Sequence, residues 1–198
     1  MELSVAVLSS AVATAFGFFA AYGLARHRVP GGRAAHWFLM APVSISYLII
    51  GMGLLITYNE IGFPKSLLGV GMGHVVINLP IAFGILYSQM GAHQANAERA
   101  ARDLGAAEWQ VLLLISVPML WPALIAAFCL SFTLSWDEFI IAFLVTRFDV
   151  TLPVEIWSML RTGLNPMTNA AGTLVFFISM LLVVIVELTL WRRRRRNA

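Results

Sequence analysis

The sequence predicts an all-α protein, a polytopic membrane helix bundle with five predicted spans. Three observations predict it. The 198 residues are 60% hydrophobic and only 12% charged, far from a soluble composition. The apolar residues gather in runs of about the 20 that a helix needs to cross hydrocarbon. The arginines collect between alternate runs, as membrane topology requires.

The first run, Leu3–Leu24, is too long for a typical leader core. Its amino end carries Glu2 while its positive charges follow it, the reverse of a cleavable signal. Small residues recur at every fourth position, Ser9, Ala13, Gly17, Ala21 and Ala25, a spacing that lets membrane helices approach closely. Plain bundle packing accounts for this stripe. The second run is Trp37–Thr57. The third, Leu67–Gln89, opens on Gly69, Gly71 and Gly73 and contains Asn78-Leu79-Pro80. A proline there frees a backbone carbonyl that a neighbouring helix or water must satisfy. Asn78 therefore marks either a packed kink or the wall of a pathway. The fourth run is Leu112–Phe132, and the fifth, Ala170–Trp191, meets Arg192–Arg196.

Ten of the thirteen Lys and Arg residues fall between spans one and two, between spans three and four, or after span five. These segments are expected in the cytoplasm. The N-terminus is then external and the C-terminus cytoplasmic. The opposite side keeps Lys65, Arg147 and Arg161, with Glu2, Glu60, Asp137, Glu138, Asp149 and Glu155. One transmembrane domain, 1–198, is expected. The basic tail, 192–198, abuts a span, so it reads as a topology anchor that attracts anionic lipid, and no nucleic-acid partner is expected.

Several function classes lack their signatures. There is no HExxH, no GxSxG elbow and no Walker A loop. The four histidines are scattered, and the lone Cys129 can form no intrachain disulfide. No metal, no cofactor and no catalytic residue is expected.

The polar island between spans three and four is the most informative stretch. Glu98-Arg99-Ala100-Ala101-Arg102-Asp103-Leu104-Gly105 is followed by Ile115-Ser116-Val117-Pro118. Residues 95–109 read as helical, with Ala97, Ala101 and Leu104 on one face and Arg99, Arg102 and Asp103 elsewhere. Gly105 permits a turn or a close backbone approach. Pro118 marks re-entry into a helix. A simple connection needs only a few residues, whereas this one spends about 22, so partner docking explains it better than a solvated loop.

This spacing resembles the EAA loop of binding-protein-dependent ABC transporter permeases: Glu-Ala-Ala, three residues, Gly, nine residues, Ile, one residue, Leu-Pro. Ala100, Ala101, Gly105, Ile115 and Pro118 fall in register. Arg99 stands where the family has Glu, with Glu98 displaced by one, and Val117 replaces Leu. Ser131–Phe139, and Thr151–Met159 with Gly163, Pro166, Asn169 and Ala170, are similar to segments of the spermidine/putrescine permease type.

The resemblance implies an ABC importer permease core with a cytoplasmic coupling loop, here 91–111. It implies an ABC ATPase subunit dimer, a second permease subunit and an external substrate-binding protein as partners, in a lipid bilayer. Glu98 to Gly105 would carry the ATPase coupling. Hydrolysis would belong to the ATPase, and this chain would be no enzyme. The family usually has six spans, so the resemblance implies that a counterpart of the first would be missing from this sequence. A shortened gene model, a fragment and a five-span form all fit.

Cargo is read from Trp136, Asp137 and Glu138 at the outer end of span four. Adjacent carboxylates beside an aromatic attract a cationic amine, although solvated residues capping a span give the same pattern. With Asn78 they form the candidate substrate pathway, for a polyamine or related small cation. An iron complex, sulfate or sugar as cargo, or a non-transporting scaffold, are the alternatives.

Overall fold

The computed structural model describes residues 2–27, 29–146, 151–162, 166, 169–170, 172–181 and 184. The fifth predicted span is described in part, at 170, 172–181 and 184, while Arg28, Arg147, Asp149, Gly163, Glu187 and the basic tail lie wholly outside the described residues. Among the described residues the regular structure is helical throughout.

Helix α1 (Glu2–Arg26) is apolar on all sides and stops short of Val29-Pro30, where the residue before proline is pushed out of the helical region. Helix α2 (Gly32–Met40) runs into a 3₁₀ turn (Ala41–Ser44), and helix α3 spans Tyr47–Glu60. The second predicted span is therefore not one straight rod, since the chain bends by 102° between Gly32–Ser44 and Tyr47–Glu60. The cause is local. Pro42 opens the 3₁₀ turn, Ile45 is extended, and the Ser46 hydroxyl accepts the Leu48 N–H at 3.3 Å to start a fresh helix.

Helix α4 (Leu67–Gln89) carries Pro80 inside it. Helix α5 (Ala92–Asp103) follows, then a single turn α6 (Glu108–Gln110), a π-helical stretch (Val111–Ser116) and α7 (Val117–Trp136). Pro118 does not begin a new helix as its position suggested. It sits within a continuous rod, 108–136, directly after the π-helical widening that eases a proline ring past the preceding turn. Helices α8 (Ile140–Val145) and α9 (Leu152–Thr162) follow, and a shorter apolar helix, Gly172–Leu181, lies within the fifth predicted span. Leu3–Arg26, Leu67–Gln89 and Glu108–Trp136 are long and apolar enough to cross a membrane, and the bent α2–α3 pair adds a fourth crossing if it counts as one.

Helices α1, α4 and α7 pack against one another. The small-residue stripe is the reason α1 and α4 lie so close. Ser9, Ala13, Gly17 and Ala21 are all buried, and a Cβ on Gly17 would stand 2.9 Å from the Phe83 backbone nitrogen. The stripe thus packs the bundle. At one end of it Phe18, Tyr22, Phe83, Leu86 and Leu120 form a common core. Helix α5 closes this end. At the other end α8 packs against α3 and α4, with Tyr58, Val70, Ile77 and Ile141 buried together.

Candidate coupling site

Helix α5 is too polar to be buried, yet one of its charged residues is. Its N-terminus is fixed by the Gln94 side chain, which accepts the Gly91 N–H at 2.9 Å. Its C-terminus is a glycine turn. Gly105 has φ 87°, its N–H donates to the Arg102 carbonyl at 2.9 Å, and the Ala106 N–H reaches back to Ala101 at 3.0 Å. This is the Schellman ending, which favours glycine because other residues resist a left-handed backbone. A Cβ on Gly105 would meet nothing within 4 Å. The turn, not a close approach, accounts for this glycine.

The predicted coupling residues divide between two faces. Glu98 is fully buried. Its carboxylate accepts from Arg26 Nε at 2.5 Å, from Arg26 Nη2 at 3.3 Å and from the Ser116 hydroxyl at 2.9 Å. Arg26, whose side chain is 9% exposed, also donates to the Met90 carbonyl at 3.3 Å. Glu98 is thereby turned into the bundle and presents nothing to a partner. Ala101 and Arg102 are half-buried. Arg102 donates to Tyr22 Oη at 3.2 Å and to both oxygens of Glu108, at 2.7 and 2.9 Å. Hydrogen bonding to Glu108 raises the Arg102 guanidinium further above its ordinary value.

Arg99, Ala100, Asp103, Leu104 and Gly105 face outward. Leu104 leaves the face expected to join it with Ala97 and Ala101, because the helix has already ended there (φ −83°, ψ 4°). It is 89% exposed, and Trp109 nearby is 62% exposed. An open apolar pair flanked by charges is suited to docking a soluble protein.

The candidate pathway residues also separate. Asn78 is fully buried, and its amide has no hydrogen-bond partner among the described residues. Glu138 is buried at the start of α8, where its carboxylate accepts the N–H groups of Ile140 and Ile141 at 2.9 Å and Ala142 at 3.3 Å. It stands 3.6 Å from His74 Nε2. His74 Nδ1 lies 2.6 Å from the Ser135 hydroxyl, which lies 3.0 Å from that of Ser9. Asn78 is one turn beyond His74 on α4, so Asn78 and Glu138 both adjoin this polar seam. Asp137 instead is exposed, and Trp136 stacks on Phe132 with ring centroids 6.0 Å apart.

Sequence reading missed Arg26, Tyr22 and Ser116 as hydrogen-bond partners of the candidate coupling residues Glu98 and Arg102, and His74 and Ser135 as parts of the seam. By sequence Arg26 is simply one of the topology charges that follow span one. Its place in the last turn of an apolar helix was the available signal, because a charge there needs water or a partner.

The model of the binding-protein-dependent transport system inner membrane component matches residues 13–195. The chain belongs to this family. It is a permease subunit of an ABC importer. The spermidine/putrescine transport system permease protein PotC of Escherichia coli (strain K12) is 30% identical over 189 residues, 94% of this chain and 71% of PotC. The putrescine transport system permease protein PotI of the same organism is 32% identical over 183 residues, 88% of this chain and 65% of PotI. These relatives are permease subunits, and in such systems the ATPase is a separate subunit, so this permease is not itself the enzyme. A bacterial ABC transporter involved in the import of the acidic polysaccharide alginate shares the fold, with a TM-score of 0.57 at 18% identity over 97% of this chain and 75% of that one.

Proposed function

We propose that this permease imports a polyamine or related small organic cation, and that the outward face of α5 receives the force of an ABC ATPase. The observation that carries the coupling reading is the division of α5. Glu98 is held inside while Leu104, on the same short segment, is 89% exposed beside Arg99 and Asp103. A face so open at the end of a membrane bundle is costly to leave unpartnered. Two ATPase subunits, a second permease subunit and an external binding protein complete the assembly. The α5 end is cytoplasmic, as is the C-terminus.

Closure of the ATPase dimer displaces α5, and the bundle turns that displacement into alternating access. Cation selectivity is supported by the names of the relatives PotC and PotI and by Asp137, the exposed carboxylate beside Trp136. Glu138 serves this reading indirectly, by fixing α8. Uptake of labelled spermidine by cells expressing the complete transporter tests the proposal. Spermidine and putrescine should compete, and sulfate or a sugar should not. Competition by the latter alone would contradict the cargo.

A further inference from the structure

We propose that Arg26, Glu98 and Ser116 form a clasp that makes α5 and α1 move as one body, so that force applied at α5 enters the bundle through α1. This rests on the coupling reading above and assigns its transmission route.

The backbone joints of α5 are the weaker levers, since the Arg102–Glu108 fork that braces the Gly105 joint is open to water. Gly91 precedes the helix in an extended conformation, and Gly105 follows it with positive φ. Both are positions with no side chain to stiffen them. The non-covalent contacts to α1 are stiffer. Glu98 and Arg102 are one turn apart on α5, and Arg26 and Tyr22 are one turn apart on α1. Glu98 meets Arg26, and Arg102 meets Tyr22. Two paired contacts separated by a helical turn resist both rotation and sliding, where a single contact resists only separation.

Burial strengthens the first contact. With Glu98 fully enclosed and the Arg26 side chain almost so, opening the pair would leave a carboxylate in a poorly solvated site. Ser116 adds a third element, since its hydroxyl reaches Glu98 at 2.9 Å from the end of the π-helical stretch. Arg26 also holds the Met90 carbonyl at the end of α4. One side-chain cluster thus joins α1, α4, α5 and the root of α7. Glu98 is a positioning residue here and touches neither cargo nor ATPase.

The test uses spin labels on the exposed positions Phe16 of α1 and Asn96 of α5, in the assembled transporter. The Phe16–Asn96 distance should be the same without nucleotide and with ATP trapped. A shift between the two states in the otherwise native chain would overturn the proposal. In Arg26→Gln the distance distribution should broaden and uptake should fall about tenfold, the scale of a lost coupling contact, while the ATPase still co-purifies. Ser116→Ala should give a smaller change in the same direction. Native coupling in Arg26→Gln would overturn the clasp. If Arg26→Gln fails to assemble, the label pair in the native chain still decides. Failure of the native chain to retain its ATPase, read beforehand by co-purification, would instead defeat the coupling reading from which the clasp follows.

Discussion

Arg102 spans the glycine elbow to grip Glu108, with Nε on one carboxylate oxygen at 2.7 Å and Nη2 on the other at 2.9 Å. The two residues lie on either side of Gly105, so this forked contact sets the angle between α5 and α6. Its geometry suits guanidinium and not ammonium. The pair is open to water, with side chains 30% and 65% exposed, and such pairs contribute about 1 kcal/mol or less to stability. Arg102→Lys should leave the melting temperature nearly unchanged while reducing ATPase-driven uptake. Paired melting and uptake measurements check this. An equal loss of both would assign Arg102 to stability alone.

Gly105 separates backbone demand from steric demand. Its φ of 87° is costly for other residues, and its surroundings are empty. Gly105→Ala should therefore destabilise the elbow by about 1 kcal/mol, and Gly105→Asn by less, because asparagine tolerates the left-handed region. Thermal unfolding in detergent should rank them native, Asn, Ala. A bulky replacement such as Gly105→Leu adds a protruding side chain to the docking face and should impair ATPase assembly more than stability.

The two neighbouring carboxylates should answer to different assays. Glu138 caps α8 through three backbone N–H groups. Glu138→Ala should cost about 1–2 kcal/mol of stability, the range of a lost helix cap. Asp137 is exposed, so Asp137→Asn should spare stability and raise the KM for labelled spermidine. Reversal of these roles would put Glu138 in the pathway.

Gly17 tests the packing of α1 on α4. A Cβ there would stand 2.9 Å from a backbone nitrogen and 3.0 Å from the Ala82 side chain. Gly17→Val should destabilise by about 1–3 kcal/mol, as overpacked positions do. Gly23→Val, where a Cβ meets nothing within 4 Å, provides the control.

What the sequence disclosed depended on range. The helix over Leu67–Gln89 was legible because a continuous apolar run is a local property. So was the alanine-glycine spacing of α5, which also identified the family. Glu98 was misread as part of a docking face because a carboxylate in a polar segment is ordinarily solvated. Its partner Arg26 lies 72 residues earlier, beyond any local pattern. The division between Asp137 and Glu138 was hidden for the same reason, since Glu138 is drawn inward by the α8 backbone and His74. The 102° bend between α2 and α3 was missed because hydropathy is blind to direction. Pro42 and Ser46 carried the only local sign of it.

The central claim is that the exposed edge of α5 meets a cytosolic ATPase. The most direct measurement places a photocrosslinking residue at Leu104 in the assembled transporter and isolates the adduct. A covalent product with the ATPase subunit is expected, and none from the same residue placed at the exposed Phe16 of α1. Capture of the ATPase from Phe16 but not Leu104, or labelling of Leu104 only by reagents confined to the external side, would contradict it.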